Sequence, residues 1–154
     1  MMNLCCKVLQ CLKGKTLATA ESCTGGMIGA ALTAVPGSSA VYKGGIISYT
    51  NQVKNRLLGV PLDILENHGA VSVEVAGAMA SGARRTLDAD VAVSITGLAG
   101  PGGDEYGNPV GTVYIGYADA DNCTAKHFLF SGDRAQIRRL AMEAALQIIL
   151  EYQT

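Results

Sequence analysis

The sequence predicts an α/β protein, a three-layer α/β/α sandwich around a mixed β-sheet. Strand-like apolar segments alternate with helical segments in the first part of the chain, and a hairpin-like strand pair follows late. Nineteen glycines, clustered in the connections, are typical of a fold that lines a ligand with backbone. No internal repeat or linker interrupts the 154 residues, so we predict one domain over residues 1–154.

The composition excludes several classes of protein. Hydrophobic residues make up 49% of the chain and charged residues 16%, which argues against disorder. The formal net charge of −1 gives no positive field for nucleic acid or anionic lipid, so we expect neither as a partner. No apolar run is long enough for a bilayer. Five cysteines without CxxC spacing favour a reducing compartment, and we predict a cytoplasmic protein.

The first part of the chain predicts a helix, a strand and a second helix. Apolar residues recur at helical spacing over residues 3–13, and Gly14 ends that helix. Residues 16–20 form a short strand candidate. Small residues over 26–35 predict the second helix, and Pro36 breaks it.

The middle of the chain predicts one extended segment and three helices. Residues 41–50 are extended, with the glycine pair 44–45 marking a bulge or a close approach of two backbones. A short helix over 51–58 starts at an asparagine that can cap it. Further helices are predicted over 61–67 and 72–87.

The last part of the chain predicts three strands and a helix. Residues 90–96 are a continuous apolar run, as expected for a strand covered on both faces. A glycine-rich loop follows over 97–109. Residues 110–118 and 124–130 predict a strand pair, and residues 133–152 the final helix.

The first candidate ligand loop is AESCTGG, residues 20–26, which follows a predicted strand, where open α/β sheets bind ligands. Amide groups at the start of the next helix can hold a phosphate. We predict substrate binding by Ser22, Thr24, Gly25 and Gly26. The loop lacks both the Walker A ending and a GxGxxG pattern, so a plain strand-to-helix turn is the alternative.

The second candidate loop is PGSS, residues 36–39, which offers a serine nucleophile. A serine hydroxyl attacks only if a base removes its proton, and a desolvated neutral lysine can do so. Lys43 and Lys54 are both candidate bases. Serines after Pro-Gly are more often turn formers, so the residues alone leave a structural role open.

The third candidate loop is SITGLAGPGG, residues 94–103, where a buried strand ends in glycines. Its free amide groups can bind a phosphate or form an oxyanion hole, and we predict substrate binding by Thr96 and Gly97. A flexible surface loop is the alternative. The two histidines, His68 and His127, lack the spacing of a metal site, so we expect no metal and no cofactor. A G-x-S-x-G elbow is also missing.

Seven segments in order resemble the C-terminal domain of the competence/damage-inducible protein CinA. They are AESCTGG (20–26), VPGSSAVYKGG (35–45), ISYTNQVK (47–54), HGAVS (68–72), SITGLAGPGG (94–103), PVGTVYIG (109–116) and SGDR (131–134). The resemblance covers nearly the whole chain from about Thr16 onward. Stand-alone members of that family are nicotinamide-mononucleotide deamidases.

The resemblance implies a metal-free amidase that converts nicotinamide mononucleotide into nicotinate mononucleotide and ammonia by a Ser/Lys mechanism. It implies that Ser39 is the nucleophile and Lys54 the base, and that Tyr49, Thr96 and Arg134 belong to the site. Lys54 must then lose its proton, which requires burial or a nearby cation. Arg134 is suited to bidentate binding of the phosphate.

Two other functions stay open on the sequence. The same loops suit a non-catalytic nucleotide-binding module, regulatory or linked to competence, and ammonia release would separate it from an amidase. A metal-dependent phosphohydrolase acting on the same nucleotide is disfavoured by the missing ligand cluster. In each case the partner is a small-molecule nucleotide. The small residues over 75–83 also suit packing against a second subunit, so we expect a homo-oligomer.

Overall fold

The chain folds into six α-helices and five strands, and the structure, a computed structural model, describes every residue from Met1 to Thr154. In chain order the elements are α1 (Met2–Cys11), β1 (Leu17–Glu21), α2 (Met27–Thr33), a 3-10 helix (Ser38–Ala40), β2 (Tyr42–Ile47), α3 (Asn51–Leu58), α4 (Leu62–His68), α5 (Val73–Thr86), β3 (Val91–Gly97), β4 (Thr112–Ala118), β5 (Cys123–Leu129) and α6 (Arg134–Gln153).

The five strands form one mixed sheet in the order β2-β1-β3-β4-β5. β1 pairs in parallel with both β2 and β3, whereas β4 and β5 run antiparallel to their neighbours. The antiparallel part is the strand pair expected late in the chain. The predicted fold class, an α/β sandwich around a mixed sheet, is confirmed.

Helices cover both faces of the sheet and produce two hydrophobic cores. On one face α5 places Val75 and Met79 against Ala18 and Ala92 of the two central strands. On the other face α1, α2 and α6 enclose a larger core that contains Leu17 of β1 and Val91, Val93 and Ile95 of β3. Because both faces are covered, every residue of β1 is buried, as are the first six of β3.

The glycine pair in β2 allows close contact with β1, as the sequence predicted. The pairing register shifts at Lys43, so that Leu17 pairs with Tyr42 and Ala18 with Gly44. A Cβ atom at Gly45 would collide with the Thr19 hydroxyl. Both expected features, the bulge and the close approach, therefore occur at this point in the sheet.

Five of the six helices start one residue away from the predicted position, and α3 starts at the predicted residue but has a different cap. α2 begins at Met27 because Gly26 has a φ of 107°, in the left-handed region that glycine tolerates. The cap of α3 is Thr50, whose hydroxyl accepts a hydrogen bond from the Val53 amide at 3.3 Å, and the expected cap Asn51 is the first helical residue. None of the six helices combines the length and hydropathy needed to cross a bilayer.

Candidate active site

A cavity of about 280 Å³ opens at one edge of the sheet. Strands β1, β2 and β3 are parallel, so their carboxyl ends meet there, as in other open α/β sheets that bind ligands. The lining residues are Ser22, Cys23, Tyr49, Asn51, Lys54, Ala70, Val71, Thr96, Gly97, Leu98, Ala99, Gly100, Gly102 and Arg134. No Asp or Glu is among them, so the charged lining side chains are both basic.

Lys54 and Ser22 are hydrogen-bonded inside this cavity. Lys54 Nζ donates to Ser22 Oγ at 3.0 Å and to the Ser48 carbonyl oxygen at 2.7 Å. Lys54 lies in the second turn of α3, which begins just after β2, and its side chain is only 1% exposed. Ser22 follows the last residue of β1 and is 8% exposed. A serine hydroxyl and a lysine amine are thus in direct contact at the edge where three strands end.

Burial changes the protonation of Lys54. Desolvation disfavours the ammonium form and lowers the pKa of Lys54 to about 8. No lining carboxylate opposes this effect. A lysine with a pKa near 8 is partly neutral at physiological pH, so its amine can accept a proton from the adjacent hydroxyl.

Cys23 lies next to Ser22 and also lines the cavity. Burial raises the pKa of its thiol to about 11, so the thiol stays protonated at neutral pH. Of the two side chains, only the Ser22 hydroxyl is hydrogen-bonded to Lys54, so Ser22 is the better-placed nucleophile.

Ser39 is not in the cavity, and the expected pairing of Ser39 with Lys54 is wrong. Ser39 is exposed on the 3-10 helix that precedes β2. Lys54 follows β2, which has six residues and therefore separates the two ends by about 20 Å. The loop of Ser39 follows a helix, whereas Ser22 follows the carboxyl end of a parallel strand. This position, directly after a parallel strand, was the feature of the sequence that could have identified Ser22 as the site serine.

Lys43, the alternative base, also lies outside the cavity. Its Nζ donates to the Asp88 carbonyl oxygen at 2.9 Å on the protein surface. Of the two candidate bases, the structure brings only Lys54 to a serine.

The phosphate-binding site predicted at the start of α2 is occupied by the carboxylate of Glu21. One oxygen of this carboxylate accepts hydrogen bonds from the Thr24 hydroxyl at 2.7 Å and the amide groups of Gly26 and Ile28 at 3.2 and 3.0 Å. The other oxygen accepts from the Gly29 amide at 3.2 Å. These donors are thus unavailable to a phosphate.

The phosphate-binding role expected for Thr24, Gly25 and Gly26 does not fit this arrangement, and none of the three lines the cavity. Sequence reasoning missed Glu21, which is 2% exposed. An acidic residue next to a helix N-terminus was the available signal.

Thr96 and Gly97 do line the cavity, on the end of β3. The Thr96 hydroxyl donates to the Ala70 carbonyl oxygen at 2.7 Å and so holds the neighbouring loop. A Cβ atom at Gly97 would lie 2.7 Å from Val113 Cγ2, so the strand end requires glycine. Thr96 and Gly97 therefore both have a structural role in the wall of the cavity.

Arg134 and Tyr49 meet at the mouth of the cavity. Arg134 is the first residue of α6, whose N-cap is Asp133. Its guanidinium donates to the Gly100 carbonyl oxygen at 2.6 Å and to the Tyr49 hydroxyl at 3.4 Å. The two ion pairs of the chain, His68–Glu74 and Lys126–Glu151, do not include it. Arg134 therefore presents an uncompensated positive charge at the entrance.

Ser48 also contacts Lys54. It was not identified as a site residue from the sequence. Its carbonyl oxygen accepts from Lys54, and its buried hydroxyl has no hydrogen-bond partner. No group of three or more His, Cys, Asp or Glu side chains is arranged to hold a metal ion.

Comparison with known proteins gives one consistent family. The model of the CinA C-terminal domain matches residues 3–153. The CinA-like protein of Parasynechococcus marenigrum is 51% identical over 135 residues, which are 86% of this chain and 32% of that protein. The CinA-like protein of Geobacter sulfurreducens is 50% identical over 134 residues, 87% of this chain and 32% of that protein. The chain spans about a third of the length of these curated relatives.

Solved structures give the same result. A competence-damaged protein (CinA) superfamily protein from Escherichia coli superposes with a TM-score of 0.96 at 38% identity, covering 98% of this chain and 89% of that one. The competence/damage inducible protein CihA from Agrobacterium tumefaciens superposes with a TM-score of 0.92 at 36% identity, covering 99% of this chain and 95% of that one.

Proposed function

Because the chain belongs to the CinA C-terminal domain family, we propose that it is an amidase that hydrolyses the carboxamide of nicotinamide mononucleotide. The observation that carries the proposal is the buried contact between Lys54 and Ser22, at 3.0 Å, in an open cavity. A serine beside a partly neutral lysine is the minimal apparatus for nucleophilic attack on an amide.

In the first half of the proposed reaction, neutral Lys54 accepts the hydroxyl proton of Ser22 while Ser22 Oγ forms a bond to the carboxamide carbon. The C=O π electrons move onto oxygen and give a tetrahedral oxyanion. The oxyanion then collapses, the C–N bond breaks, and the leaving nitrogen takes the proton from the Lys54 ammonium. Ammonia departs and the nicotinoyl group remains as an ester on Ser22.

In the second half, Lys54 accepts a proton from water while the water oxygen bonds to the ester carbon. Collapse of the second tetrahedral intermediate breaks the bond to Ser22 Oγ, which recovers its proton from Lys54. The sum is one amide and one water converted into one carboxylic acid and one ammonia. No cofactor enters this balance.

The charges of the cavity support this substrate. A nicotinamide ring joined to ribose is a cation, and its charge favours the neutral form of Lys54 that the mechanism needs. Arg134, which has no acidic partner, is the candidate for the 5′-phosphate, since guanidinium binds phosphate bidentately. Tyr49 lies next to Arg134 and offers an aromatic face to the pyridinium. The five free thiols support a reducing compartment, and a cytoplasmic site of action is part of the proposal.

The proposal is tested by incubating the purified protein with nicotinamide mononucleotide. Ammonia is measured by a coupled assay, and nicotinate mononucleotide by mass spectrometry after chromatography. We expect equal amounts of the two products, unchanged by a chelator, and neither product from Ser22→Ala. Nucleotide binding by calorimetry without ammonia release would favour the non-catalytic module, and release of inorganic phosphate would favour a phosphohydrolase. Both results would contradict the amidase.

A further inference from the structure

The contact between Lys54 and Ser22 leaves two donor hydrogens unused when Lys54 is protonated. An ammonium has three N–H groups. Two of them bond to Ser22 Oγ at 3.0 Å and to the Ser48 carbonyl oxygen at 2.7 Å, and the third has no partner in the chain. The O–H of Ser22 is also free, because Ser22 Oγ only accepts in its contact with Lys54. The Ser48 hydroxyl takes neither donor, since it has no hydrogen-bond partner.

Deprotonation of Lys54 changes this set of donors. A neutral amine has two N–H groups and a lone pair, and in the reactive state the lone pair accepts the Ser22 hydroxyl proton. One N–H still bonds to the Ser48 carbonyl oxygen, so a single uncharged N–H is left over. The protonated pair thus offers a ligand two donors and a positive charge, whereas the neutral pair offers one donor and no charge.

The cavity has no anion of its own to compensate a Lys54 ammonium. Arg134, at the mouth, is a second cation and bonds to the Tyr49 hydroxyl. The Cys23 thiol stays protonated, because burial raises its pKa to about 11. Glu21 precedes Ser22, but its carboxylate accepts its hydrogen bonds at the start of α2.

The other charged side chains of the neighbouring elements bond elsewhere or lie outside the cavity. Those of α5 and α6 bond to His68 and to backbone carbonyl oxygens: Glu74, Arg84, Arg85 and Arg138. Those of α3, α4 and the 97–109 loop do not line the cavity: Arg56, Asp63, Glu66, Asp104 and Glu105. A carboxylate on a ligand would therefore meet two cations and no competing anion.

The proposed reaction produces such a carboxylate at this point. The carbon that becomes the carboxylate is bonded to Ser22 Oγ in the ester, so it is released beside Ser22 and Lys54. A carboxylate is an acceptor with two oxygens. The two donor atoms, Lys54 Nζ and Ser22 Oγ, are 3.0 Å apart and can bond to the two oxygens of one carboxylate. The product also carries one negative charge more than the neutral carboxamide.

We propose that the protonated Lys54–Ser22 pair is a carboxylate-binding site that retains nicotinate mononucleotide, so that the product inhibits the enzyme. The inference rests on the proposed function and concerns the regulation of the same site. Lys54 has a pKa of about 8 in the free protein, and a bound carboxylate favours its ammonium form. Product affinity should therefore be constant well below pH 8 and fall above it, because binding must then take up a proton from the solvent.

The first test is calorimetric titration of the wild type with nicotinate mononucleotide at pH 7 and pH 9. We expect Kd to rise about tenfold between the two values and most of one proton to be taken up at pH 9, measured in two buffers of different ionisation enthalpy. Pyridine mononucleotide, which lacks only the carboxylate, is the control ligand. Its phosphate ionises near pH 6 in the same way, so it should bind without proton uptake and about tenfold more weakly at pH 7.

The second test repeats the titration with Lys54→Met and with Lys43→Met. Lys43 lies outside the cavity and bonds to the Asp88 carbonyl oxygen, so its variant controls for the loss of one positive charge. Lys54→Met should bind nicotinate mononucleotide about tenfold or more weakly at pH 7, with a Kd that no longer depends on pH. Lys43→Met should match the wild type. In kinetics, nicotinate mononucleotide should compete with nicotinamide mononucleotide, with a Ki about tenfold lower at pH 7 than at pH 9.

The inference would be overturned by a product Kd that is equal at the two pH values, or by equal affinity for the two ligands at pH 7. It would also be overturned by a Lys54→Met variant that keeps the wild-type pH dependence. Should Lys54→Met fail to fold, the two ligands on the wild type still decide. The proposed function is judged separately by ammonia release from nicotinamide mononucleotide, and its absence would overturn that function whatever the titrations give.

Discussion

Lys54 Nζ donates a hydrogen bond to Ser22 Oγ at 3.0 Å, although 32 residues separate the two in the chain. Ser22 lies at the carboxyl end of β1, and Lys54 lies in the helix that follows β2. The parallel pairing of β1 with β2 is what brings them together, because it places both strand ends at one edge of the sheet. The contact between Lys54 and Ser22 therefore depends on the order and the direction of the strands.

The nucleophile is tested by Ser22→Ala. We expect kcat to fall at least about a thousandfold, since loss of a nucleophilic hydroxyl removes the acyl-enzyme route. The matched control is Ser39→Ala, which should keep wild-type activity because Ser39 is exposed outside the cavity. Ammonia release under saturating substrate measures both. An inactive Ser39→Ala beside an active Ser22→Ala would assign the nucleophile to Ser39 after all.

The general base is tested by Lys54→Arg. A guanidinium stays protonated and cannot take the Ser22 proton, so we expect this variant to be nearly inactive, about a thousandfold below the wild type. Lys43→Arg is the control, since Lys43 bonds to a surface carbonyl and its replacement keeps that contact. Specificity constants are compared after circular dichroism has shown that both variants fold. The assignment of Lys54 fails if its arginine variant keeps wild-type activity.

The rate should depend on pH through Lys54. Only the neutral amine accepts a proton, so kcat/KM should rise with pH along a limb with an apparent pKa of about 8 and then level off. Well below that value the rate should fall about tenfold per pH unit. The profile is measured between pH 6 and 10 with nicotinamide mononucleotide. A flat profile, or a limb near the pKa of about 10.4 of an exposed lysine, would count against Lys54 as the base.

The free energy of unfolding should also depend on the protonation of Lys54. The pKa of Lys54 is about 8 in the folded chain and near 10.5 in the unfolded one, so between these values the unfolded state binds more protons. The cost of burying the cation is therefore fully present below pH 8 and is relieved as the pH rises towards 10.5.

Relative to Lys54→Met, the wild type should gain up to about 3 kcal/mol of unfolding free energy over that range. Denaturant titration of both proteins at pH 7 and pH 10 measures the change. An equal difference between them at the two pH values would show that Lys54 has an ordinary pKa.

Phosphate recognition is tested by Arg134→Met. Loss of this unpaired cation should raise KM for nicotinamide mononucleotide about tenfold or more, and should hardly change the reaction of the riboside, which has no phosphate. Arg139→Met serves as the control for loss of one positive charge on α6. Steady-state kinetics with both compounds give the comparison. An equal loss for nucleotide and riboside would exclude a phosphate contact at Arg134.

Local patterns were sufficient for most of the fold. The apolar run over residues 90–96 predicted a strand buried on both faces, and β3 is such a strand. The glycine pair at 44–45 predicted a bulge or close approach, and both occur. These features depend on side chains within a few residues of one another, so they can be recognised in the sequence without knowledge of the fold. The same is true of Lys54 as a candidate base, since few other side chains in its segment can accept a proton.

The serine could not be chosen in this way. Ser22 and Ser39 both lie in small-residue loops, and residue type does not tell which loop faces Lys54. The predicted phosphate site at the start of α2 does not hold for a related reason. Its hydrogen-bond donors are already bonded to Glu21, a residue of the same loop. The direction of the Glu21 side chain depends on the burial of β1, which is a property of the fold.

By itself, the sequence determined the alternation of helices and strands, the family and the residue types available for chemistry, since periodicity and motifs are properties of neighbouring residues. Only the tertiary structure decided that Ser22, and not Ser39, contacts Lys54. The physical reason is that β2 separates the loop before it from the helix after it by its full length, while its parallel partner β1 ends beside that helix.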